Sequence, residues 1–289
     1  MSFRVIALLG ALFLSPALSL AQMATAPFDG RLKKIQDTKT IAVAYRTDAV
    51  PFSFEEVDKK PAGYTVELCR SVISVIERQL GTPLQVKWVP VNVQNRFTAI
   101  SSGQADMECG ASSVTLGRLK EVDFSSLTFA DATGVLVRNS TSGNSLMALA
   151  NKKIAVMGGT TNERALNDAL KARVVSATVV TVKSREEGLA QLEAGTIDGF
   201  AGDRVLLVGL ASQAKDPKAF ALLSDALSYE PYAIALPRGD WAMKQSVNAA
   251  LAQIYASNAL PELYGRWFKA LGNPSLVLEV MFALGRLPE

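Results

Sequence analysis

The residues with the clearest chemical potential lie in residues 91–118, VNVQNRFTAISSGQADMECGASSVTLGR. Arg96 falls in the first turn of a predicted helix, and Arg118 follows a turn of small residues. Ser112 and Ser113 come directly after a short apolar strand. A cation, hydroxyl groups and free backbone N–H groups at the ends of parallel strands can bind a small anion. This stretch therefore predicts an anion-binding site.

The same pattern recurs 92 residues later. Residues 100–106 (ISSGQAD) and 192–198 (LEAGTID) each read as a helix end, a glycine and an aspartate that opens a short strand. The first strand reaches residues 109–112, and the second reaches residues 201–204, which brings Asp203 to a strand end. A repeat of about 90 residues is too long for a solenoid unit. It predicts two similar α/β lobes with facing strand ends. The alternative is that a helix end, a glycine and a strand recur in this order by chance, as they can in any α/β protein.

The first half of the chain supplies strands and a helix that can position these residues. Residues 40–46 form a predicted apolar strand ending on Arg46, and residues 84–91 form a second strand. A helix is predicted between them, from Gly63 and Tyr64 to Leu80. Its apolar residues at helical spacing, expected to face the core, are Leu68, Val72 and Ile76.

The second half follows the same plan. Residues 153–157 form a predicted buried strand, and residues 158–163 (GGTTNE) turn from it into a helix near Thr161. The two glycines would let the backbone approach a ligand closely, although most sequences of this kind are ordinary helix caps. Arg185 begins the next predicted helix.

The predicted lobes are connected twice. Extended segments near residues 128–131 and 229–232 are expected to cross between them. Lobe 1 would comprise residues 28–128 and 233–289, and lobe 2 would comprise residues 129–232 with the hinge segments.

Composition limits the class of protein. The chain has 289 residues, 49% of them hydrophobic and 20% charged, which is typical of a globular protein long enough for two domains. A net charge of +3 is too balanced for a nucleic-acid-binding protein, so no nucleic-acid partner is expected. The sequence contains no histidine, which excludes Ser-His-Asp and Cys-His nucleophiles and most zinc sites. No catalytic residue, metal or cofactor is predicted.

Residues 1–21 are predicted to be a secretory signal peptide. They contain one cation, Arg4, then an apolar run over residues 5–14, and they end on the small-x-small pattern of residues 19–21. The apolar run is short for a membrane span, and no later run is long enough to be one. The mature chain is therefore expected to be soluble outside the cytoplasm.

The two cysteines are predicted to lie in the same lobe. Cys69 falls on a helix and Cys109 at a strand end. A disulfide could form in an oxidising compartment. We favour the interpretation that both cysteine side chains are buried and reduced.

Several segments occur together in a familiar order. They are the signal peptide, LKKI, VPFSF, GYTVEL, QNR, ADMECG, GGTT and GTIDGFAGD. Over residues 32–268 the chain resembles type II periplasmic solute-binding proteins of ABC importers, and most closely their glutamate/aspartate-binding branch. The resemblance implies a two-lobed α/β fold with two crossover strands that closes on its ligand. It also implies an acidic amino acid as ligand, permease subunits in the inner membrane as partners, a periplasmic location and a monomer.

The resemblance assigns roles to four residues around the ligand's backbone. Arg118 occupies the position of the arginine that holds the α-carboxylate, as a bidentate guanidinium can. Ser113 and the N–H groups around Thr161 would add hydrogen bonds. Asp203 occupies the position of the aspartate that binds the α-ammonium.

The side-chain carboxylate of the ligand would be bound by Arg46 and Arg96. Here the chain departs from its branch at three positions. Val93 and Ala111 stand where hydroxyls are typical, and Arg185 stands where a histidine can occur. These changes keep an anion site but leave open whether the ligand is glutamate, aspartate or another dicarboxylate. The role of Arg185, as a ligand contact or a surface cation, also stays open.

Two alternatives share this fold. One is a secreted dehydratase-like enzyme, for which Glu108 or Asp131 would have to transfer a proton. An acid beside several arginines is expected to stay ionised, which disfavours that role. The other is a ligand sensor that signals to a membrane receptor through the same site.

Overall fold

A computed structural model describes residues 28–288 and shows two five-stranded sheets and one small three-stranded sheet. The strands are β1 (Thr40–Arg46), β2 (Asp48–Ala49), β3 (Ser53–Glu55), β4 (Pro61–Ala62), β5 (Gln85–Val91), β6 (Met107–Glu108), β7 (Asp123–Asp131), β8 (Thr133–Arg138), β9 (Lys153–Met157), β10 (Thr178–Val182), β11 (Gly199–Asp203), β12 (Phe220–Leu222) and β13 (Glu230–Leu236). The α-helices are α1 (Gly30–Thr38), α2 (Tyr64–Leu80), α3 (Arg96–Ser101), α4 (Thr161–Ala172), α5 (Arg185–Glu193), α6 (Arg204–Ala211), α7 (Trp241–Ala256), α8 (Ala259–Phe268) and α9 (Leu276–Leu284).

The first sheet has the order β5-β1-β6-β13-β7. Strand β1 pairs in parallel with β5 and β6, and β13 runs antiparallel to β6 and β7. Helix α2 packs against this sheet with Leu68, Val72 and Ile76 fully buried, as predicted. We call this sheet and its helices the first lobe.

The second sheet has the order β10-β9-β11-β8-β12 and repeats the plan of the first. Strand β9 pairs in parallel with β10 and β11, and β8 runs antiparallel to β11 and β12. We call this sheet and its helices the second lobe. The predicted α/β fold of two similar lobes is confirmed.

The sequence repeat corresponds to the same structural step in each lobe. Helix α3 leads through Gly103 into β6, and helix α5 leads through Gly195 into β11. Both glycines have positive φ values, +80° and +72°, which favour glycine because it lacks a Cβ. The parallel strands β1 and β6 then end at one edge of their sheet, as do β9 and β11. The predicted polar residues follow these ends.

The chain passes between the lobes twice. Strand β7 ends at Asp131 and β8 begins at Thr133, while the return runs from β12 to β13. Asp131 and Glu230 are paired residues of β7 and β13 at this crossing. The lobe boundaries given above, residues 28–128 with 233–289 and residues 129–232, stay a prediction.

A cluster of aromatic rings lies beneath the crossing strands. Phe52 contacts Phe129, Tyr232 and Phe268, with ring centroids 4.8–5.4 Å apart. Tyr64 adds its ring and donates a hydrogen bond to the carbonyl oxygen of Thr128 at 3.1 Å. Edge-to-face packing of this kind stabilises a core beyond its buried area. Phe129 and Tyr232, which lie on the two crossing strands, are therefore packed into an aromatic core.

The expectation of two reduced cysteines is wrong. Cys69 of α2 and Cys109, which follows β6, form a disulfide. Their Cα atoms lie 6.3 Å apart, within the range that a disulfide can bridge. The bond fixes the chain immediately before Ser112 and Ser113.

The predicted signal peptide, residues 1–21, lies outside the described residues. Within residues 28–288, no helix combines the length and the apolar character that crossing a membrane requires. The same residues contain no cluster of acidic or sulfur ligands suited to a metal ion.

Candidate ligand-binding cleft

Six of the seven predicted site residues lie at strand ends or at the starts of helical turns, and Ser113 lies in the loop after β6. From the first lobe come Arg46 at the end of β1, Arg96 at the start of α3, Ser113 after β6, and Arg118 at the start of a short 3-10 turn. From the second lobe come Thr161 at the start of α4, Arg185 at the start of α5 and Asp203 at the end of β11. Arg118 is half-buried and Asp203 is buried, so neither is on an outer surface.

Two buried arginines of the first lobe have unused hydrogen-bond donors. Arg46 is 1% exposed and Arg96 is 4% exposed. Within the part of the chain that the structure describes, Nε and Nη1 of Arg46 and Nε of Arg96 have no hydrogen-bond partner. Buried charged donors without acceptors are unfavourable, and an anion would satisfy them.

The guanidinium groups are close enough to affect each other's protonation. Burial, and then the charges of Arg46 and Arg118, lower the pKa of Arg96 to about 9. Burial and then Arg185 lower the pKa of Arg46. The cations from both lobes therefore face one region, where a negatively charged ligand would relieve their mutual repulsion.

Asp48 lies between two of these arginines. Its Oδ1 is 2.6 Å from Nη2 of Arg46, and its Oδ2 accepts a hydrogen bond from Nη1 of Arg185 at 2.7 Å. Burial raises the pKa of Asp48, but Arg185 and Arg46 outweigh it, so the pKa is lowered overall. The ion pair with Arg185 joins the two lobes directly. Arg185 is 8% exposed and is therefore not a solvated surface cation.

A second internal carboxylate, Glu230, is surrounded by hydroxyl groups. Its Oε2 accepts hydrogen bonds from Ser113 and Thr161, and its Oε1 accepts them from Thr133 and Ser228. The donors come from both lobes. Glu230 is only 2% exposed, so it has little contact with water. These four hydrogen bonds take the place of the water molecules that an exposed carboxylate would bind.

Arg118 lies near this carboxylate. It donates a hydrogen bond from Nη1 to the carbonyl oxygen of Ser113 at 2.7 Å, and its guanidinium carbon lies 5.3 Å from the centre of the Phe97 ring. Burial lowers the pKa of Arg118, while the charges of Glu230 and Asp203 oppose the change. Arg118 and Asp203, which come from different lobes, are thus electrostatic neighbours.

Asp203 has one free oxygen in the cleft. Asn162 donates a hydrogen bond to its Oδ2 at 3.0 Å, and its Oδ1 has no partner of good geometry within residues 28–288. Burial and then the charge of Glu230 raise the pKa of this carboxyl. The Tyr232 hydroxyl lies close enough to this carboxyl to oppose the rise in its pKa. A bound ammonium group would supply the missing partner and would favour the ionised form.

Three polar residues near the site were not predicted from the sequence: Asp48, Asn162 and Glu230. Glu108 was considered only as the proton-transferring acid of the enzyme alternative. The only local signal was an acidic residue inside an apolar or aromatic run, as in ADMECG and YEPYAIAL. Glu108 is fully buried, and neither of its oxygens has a hydrogen-bond partner among the described residues.

For Glu108, burial and the neighbouring arginines act on the pKa in opposite directions, and the expectation that this acid stays ionised is still a prediction. Burial raises its pKa, and the opposing charges of Arg96 and Arg46 do not compensate. The physical reason is that complete removal from water disfavours the charged carboxylate more than these nearby cations favour it.

Residues 41–270 match the family of bacterial extracellular solute-binding proteins, family 3. The chain belongs to this family. It is 31% identical over 254 residues to an L-glutamate/L-aspartate-binding protein of Pseudomonas aeruginosa, covering 87% of this chain and 84% of that protein. It is 29% identical over 260 residues to a glutamate/aspartate import solute-binding protein of Escherichia coli, covering 90% of this chain and 86% of that protein.

Solved structures show the same fold. A periplasmic binding protein of an ABC transporter from Brucella ovis, with glutathione bound, aligns with a TM-score of 0.75 at 24% identity and covers 86% of this chain and 78% of that chain. An ancestral amino acid-binding protein, described as a precursor of cyclohexadienyl dehydratase, aligns with a TM-score of 0.71 at 25% identity and covers 83% of this chain and 100% of that chain. The predicted type II periplasmic-binding fold and family are confirmed, and this family 3 member is a substrate-binding protein.

Proposed function

We propose that this solute-binding protein captures an acidic amino acid, glutamate or aspartate, between its lobes and delivers it to an ABC permease in the inner membrane. One observation carries the choice of ligand. Buried arginines with unpartnered N–H groups lie in one lobe, and an aspartate with an unpartnered oxygen lies in the other. A ligand that carries carboxylates and an ammonium group satisfies both. The names of the relatives in Pseudomonas aeruginosa and Escherichia coli agree with this choice.

The carboxylates of the ligand would be bound mainly by the first lobe. Arg118 would hold the α-carboxylate, with backbone N–H groups near Thr161 adding hydrogen bonds, since the start of a helix presents free donors. The free donors of Arg46 and Arg96 would bind the side-chain carboxylate. Charge-assisted hydrogen bonds from guanidinium groups are stronger than neutral ones.

The α-ammonium group would be bound by the second lobe through Oδ1 of Asp203. A ligand held in this way contacts both lobes, so it binds the closed form more tightly than an open form. Closure would be a hinge motion at the two crossing segments, with residues 28–128 and 233–289 moving against residues 129–232.

The partners and the location follow from the same proposal. The chain would be exported by its signal peptide, act in the periplasm as a monomer and dock on permease subunits. Size-exclusion chromatography with light scattering tests the monomer. Cleavage after residue 21, read by mass spectrometry of the exported protein, tests the signal peptide.

The ligand is tested by calorimetry on the mature protein against glutamate, aspartate, glutamine, leucine and lysine. Micromolar or tighter binding of glutamate or aspartate, with no measurable binding of leucine or lysine, is expected. A matched pair of variants checks the site: Asp203→Asn should weaken binding by about 100-fold, since a buried charge loses its partner. Asp198→Asn, a half-exposed aspartate on the same lobe, should bind as the wild type does. Tight binding of leucine or lysine alone would refute the proposal.

One observation favours a second candidate, a dehydratase-like enzyme. Burial raises the pKa of Glu108, as a proton donor would require. Proton NMR of the protein with hydroxylated carboxylic acids would show loss of water from the substrate if this candidate is right. Glu108→Gln should then abolish turnover without abolishing binding. Unchanged spectra would leave solute binding as the function.

A further inference from the structure

A carboxylate of the protein itself occupies the space between two arginines of the cleft. Nη2 of Arg46 donates to Oδ2 of Asp48 at 2.8 Å, and Nη1 of Arg185 donates to the same oxygen at 2.7 Å. The side chain of Asp48 is 19% exposed, against 1% for Arg46 and 10% for Arg185. The carboxylate of Asp48 thus already accepts hydrogen bonds from one arginine of each lobe.

The segment that carries Asp48 has little room to withdraw. Asp48 lies on β2 and is paired with Phe54 of β3 in a short antiparallel hairpin. Helix α6 of the second lobe packs against the turn of this hairpin: a Cβ added to Gly209 would come within 2.4 Å of the carbonyl oxygen of Val50. The hairpin is therefore held between the lobes, and Asp48 with it.

The position of Asp48 changes what the neighbouring arginines can do for a ligand. Its negative charge offsets one of the two positive charges, and a ligand carboxylate bound beside it would be repelled. Arg46 still has Nε and Nη1 without partners, and these donors suit a neutral oxygen as well as a charged one. A carboxamide keeps such an oxygen but has no charge to be repelled.

We propose that Asp48 is a specificity-determining residue that lowers the preference of the cleft for a side-chain carboxylate over a side-chain carboxamide. The protein accordingly takes short amino dicarboxylic acids and also their amides, and Asp48 sets the ratio between them. This inference rests on the proposed function, since it concerns the same cleft and the same class of ligand.

The test compares Asp48→Asn with Asp58→Asn. Both substitutions remove one negative charge and keep the size of the side chain. Asp58 is on the exposed turn between β3 and β4, where it forms an ion pair with Lys60, so it controls for net charge. Calorimetry gives the dissociation constants of glutamate, glutamine, aspartate and asparagine for each protein. The affinity ratio of acid to amide is expected to rise about tenfold or more in Asp48→Asn, because two guanidiniums lose their internal anion. It should stay unchanged in Asp58→Asn.

A second variant is expected to change the affinity ratio of acid to amide in the opposite direction. Arg185→Gln leaves Asp48 with one guanidinium instead of two, so the ratio of acid to amide should fall. Circular dichroism melting curves verify that each variant is folded, and Asp48→Ser replaces Asp48→Asn if the latter does not fold. A ratio that stays constant or falls in the folded Asp48 variant would overturn the inference.

The outcome separates this inference from the proposed function. If the wild type binds glutamate or aspartate and the Asp48 variant has the same ratio, only the inference fails. If the wild type binds amides alone and the variant gains acidic ligands, the proposed ligand is wrong while the role of Asp48 stands. If neither protein binds any of the four amino acids, both are refuted.

Discussion

Thr161 and Glu230 are joined by a hydrogen bond of 2.7 Å from the Thr161 hydroxyl to Oε2 of the glutamate. Ser113 donates to the same oxygen from the other lobe. A hydroxyl group has one proton to donate, and an ionised carboxylate can only accept. Both hydroxyls are therefore committed to the protein, and a ligand carboxylate beside them depends on Arg118 and on backbone N–H groups.

Replacing the Thr161 hydroxyl should affect stability more than affinity. Thr161→Val removes one of four hydrogen bonds to the buried carboxylate of Glu230 and keeps the backbone N–H. We expect the free energy of unfolding to fall by about 1.5–3 kcal/mol, the usual range for a hydrogen bond to a charged group. The affinity for glutamate should change by less than about threefold.

Urea unfolding and calorimetry measure the two effects. Thr196→Val is the matched control, since Thr196 is exposed and its hydroxyl donates a hydrogen bond to the backbone oxygen of Gln191. A Thr161 variant of normal stability with at least tenfold weaker binding would show that the hydroxyl serves the ligand.

The buried Arg96 should be needed for binding but not for folding. It is 4% exposed, burial lowers its pKa, and its Nε has no partner among residues 28–288. Arg96→Met fills the same space with an uncharged chain. We expect glutamate affinity to fall by about 100-fold or more, while the free energy of unfolding does not fall, because a poorly compensated buried charge is removed.

Arg70→Met is the control, because Arg70 is exposed and stacks over Trp88 on the surface at 4.8 Å. Calorimetry and urea unfolding again give both quantities. Loss of stability in the Arg96 variant together with normal binding would assign Arg96 a structural role instead.

Local sequence patterns predicted the helices and strands well, because the interactions that form these elements are mostly between residues close in sequence. The buried stripe of α2 follows from apolar spacing, and the left-handed Gly103 and Gly195 follow from helix-ending chemistry. The internal ion pair of Asp48 with Arg185 connects residues 137 apart, so no local pattern reveals it. The hydroxyl groups around Glu230 likewise come together only when both lobes and the crossing strands are assembled.

The cysteines illustrate the same limit. Each is a small residue in an apolar context, which local patterns cannot distinguish from a reduced core residue. Cys69 and Cys109 are 40 residues apart in sequence and come within reach of each other only in the folded first lobe.

The disulfide should make a large contribution to stability. It spans 40 residues, and closing a loop of that length in the unfolded chain corresponds to about 4 kcal/mol. The double variant Cys69→Ser and Cys109→Ser should therefore unfold at a lower urea concentration, with little change in the ratio of glutamate to glutamine affinity. Wild-type protein treated with a reductant should match the double variant. Equal stability of oxidised and reduced protein would contradict this prediction.

The pH dependence of stability should report the buried carboxyls directly, because the chain has no histidine to titrate between pH 5 and pH 8. Burial, and then the charge of Asp203, raise the pKa of Asp131 from 3.8 to about 7. The folded state therefore keeps a proton in this range that the unfolded state has lost, so the stabilisation is complete below pH 3.8 and disappears as the pH rises through about 7.

We accordingly expect the free energy of unfolding of the unliganded protein to fall by about 3 kcal/mol between pH 5 and pH 8. Urea unfolding at half-unit steps of pH measures this slope. Asp131→Asn should flatten it, because the amide does not titrate, whereas Asp168→Asn on the exposed face of α4 should leave it unchanged. A saturating amino acid ligand should reduce the contribution of the neighbouring Asp203, since its ammonium group favours the ionised carboxylate. A slope of opposite sign, with stability rising from pH 5 to pH 8, would show that these carboxyls are ionised in the folded protein.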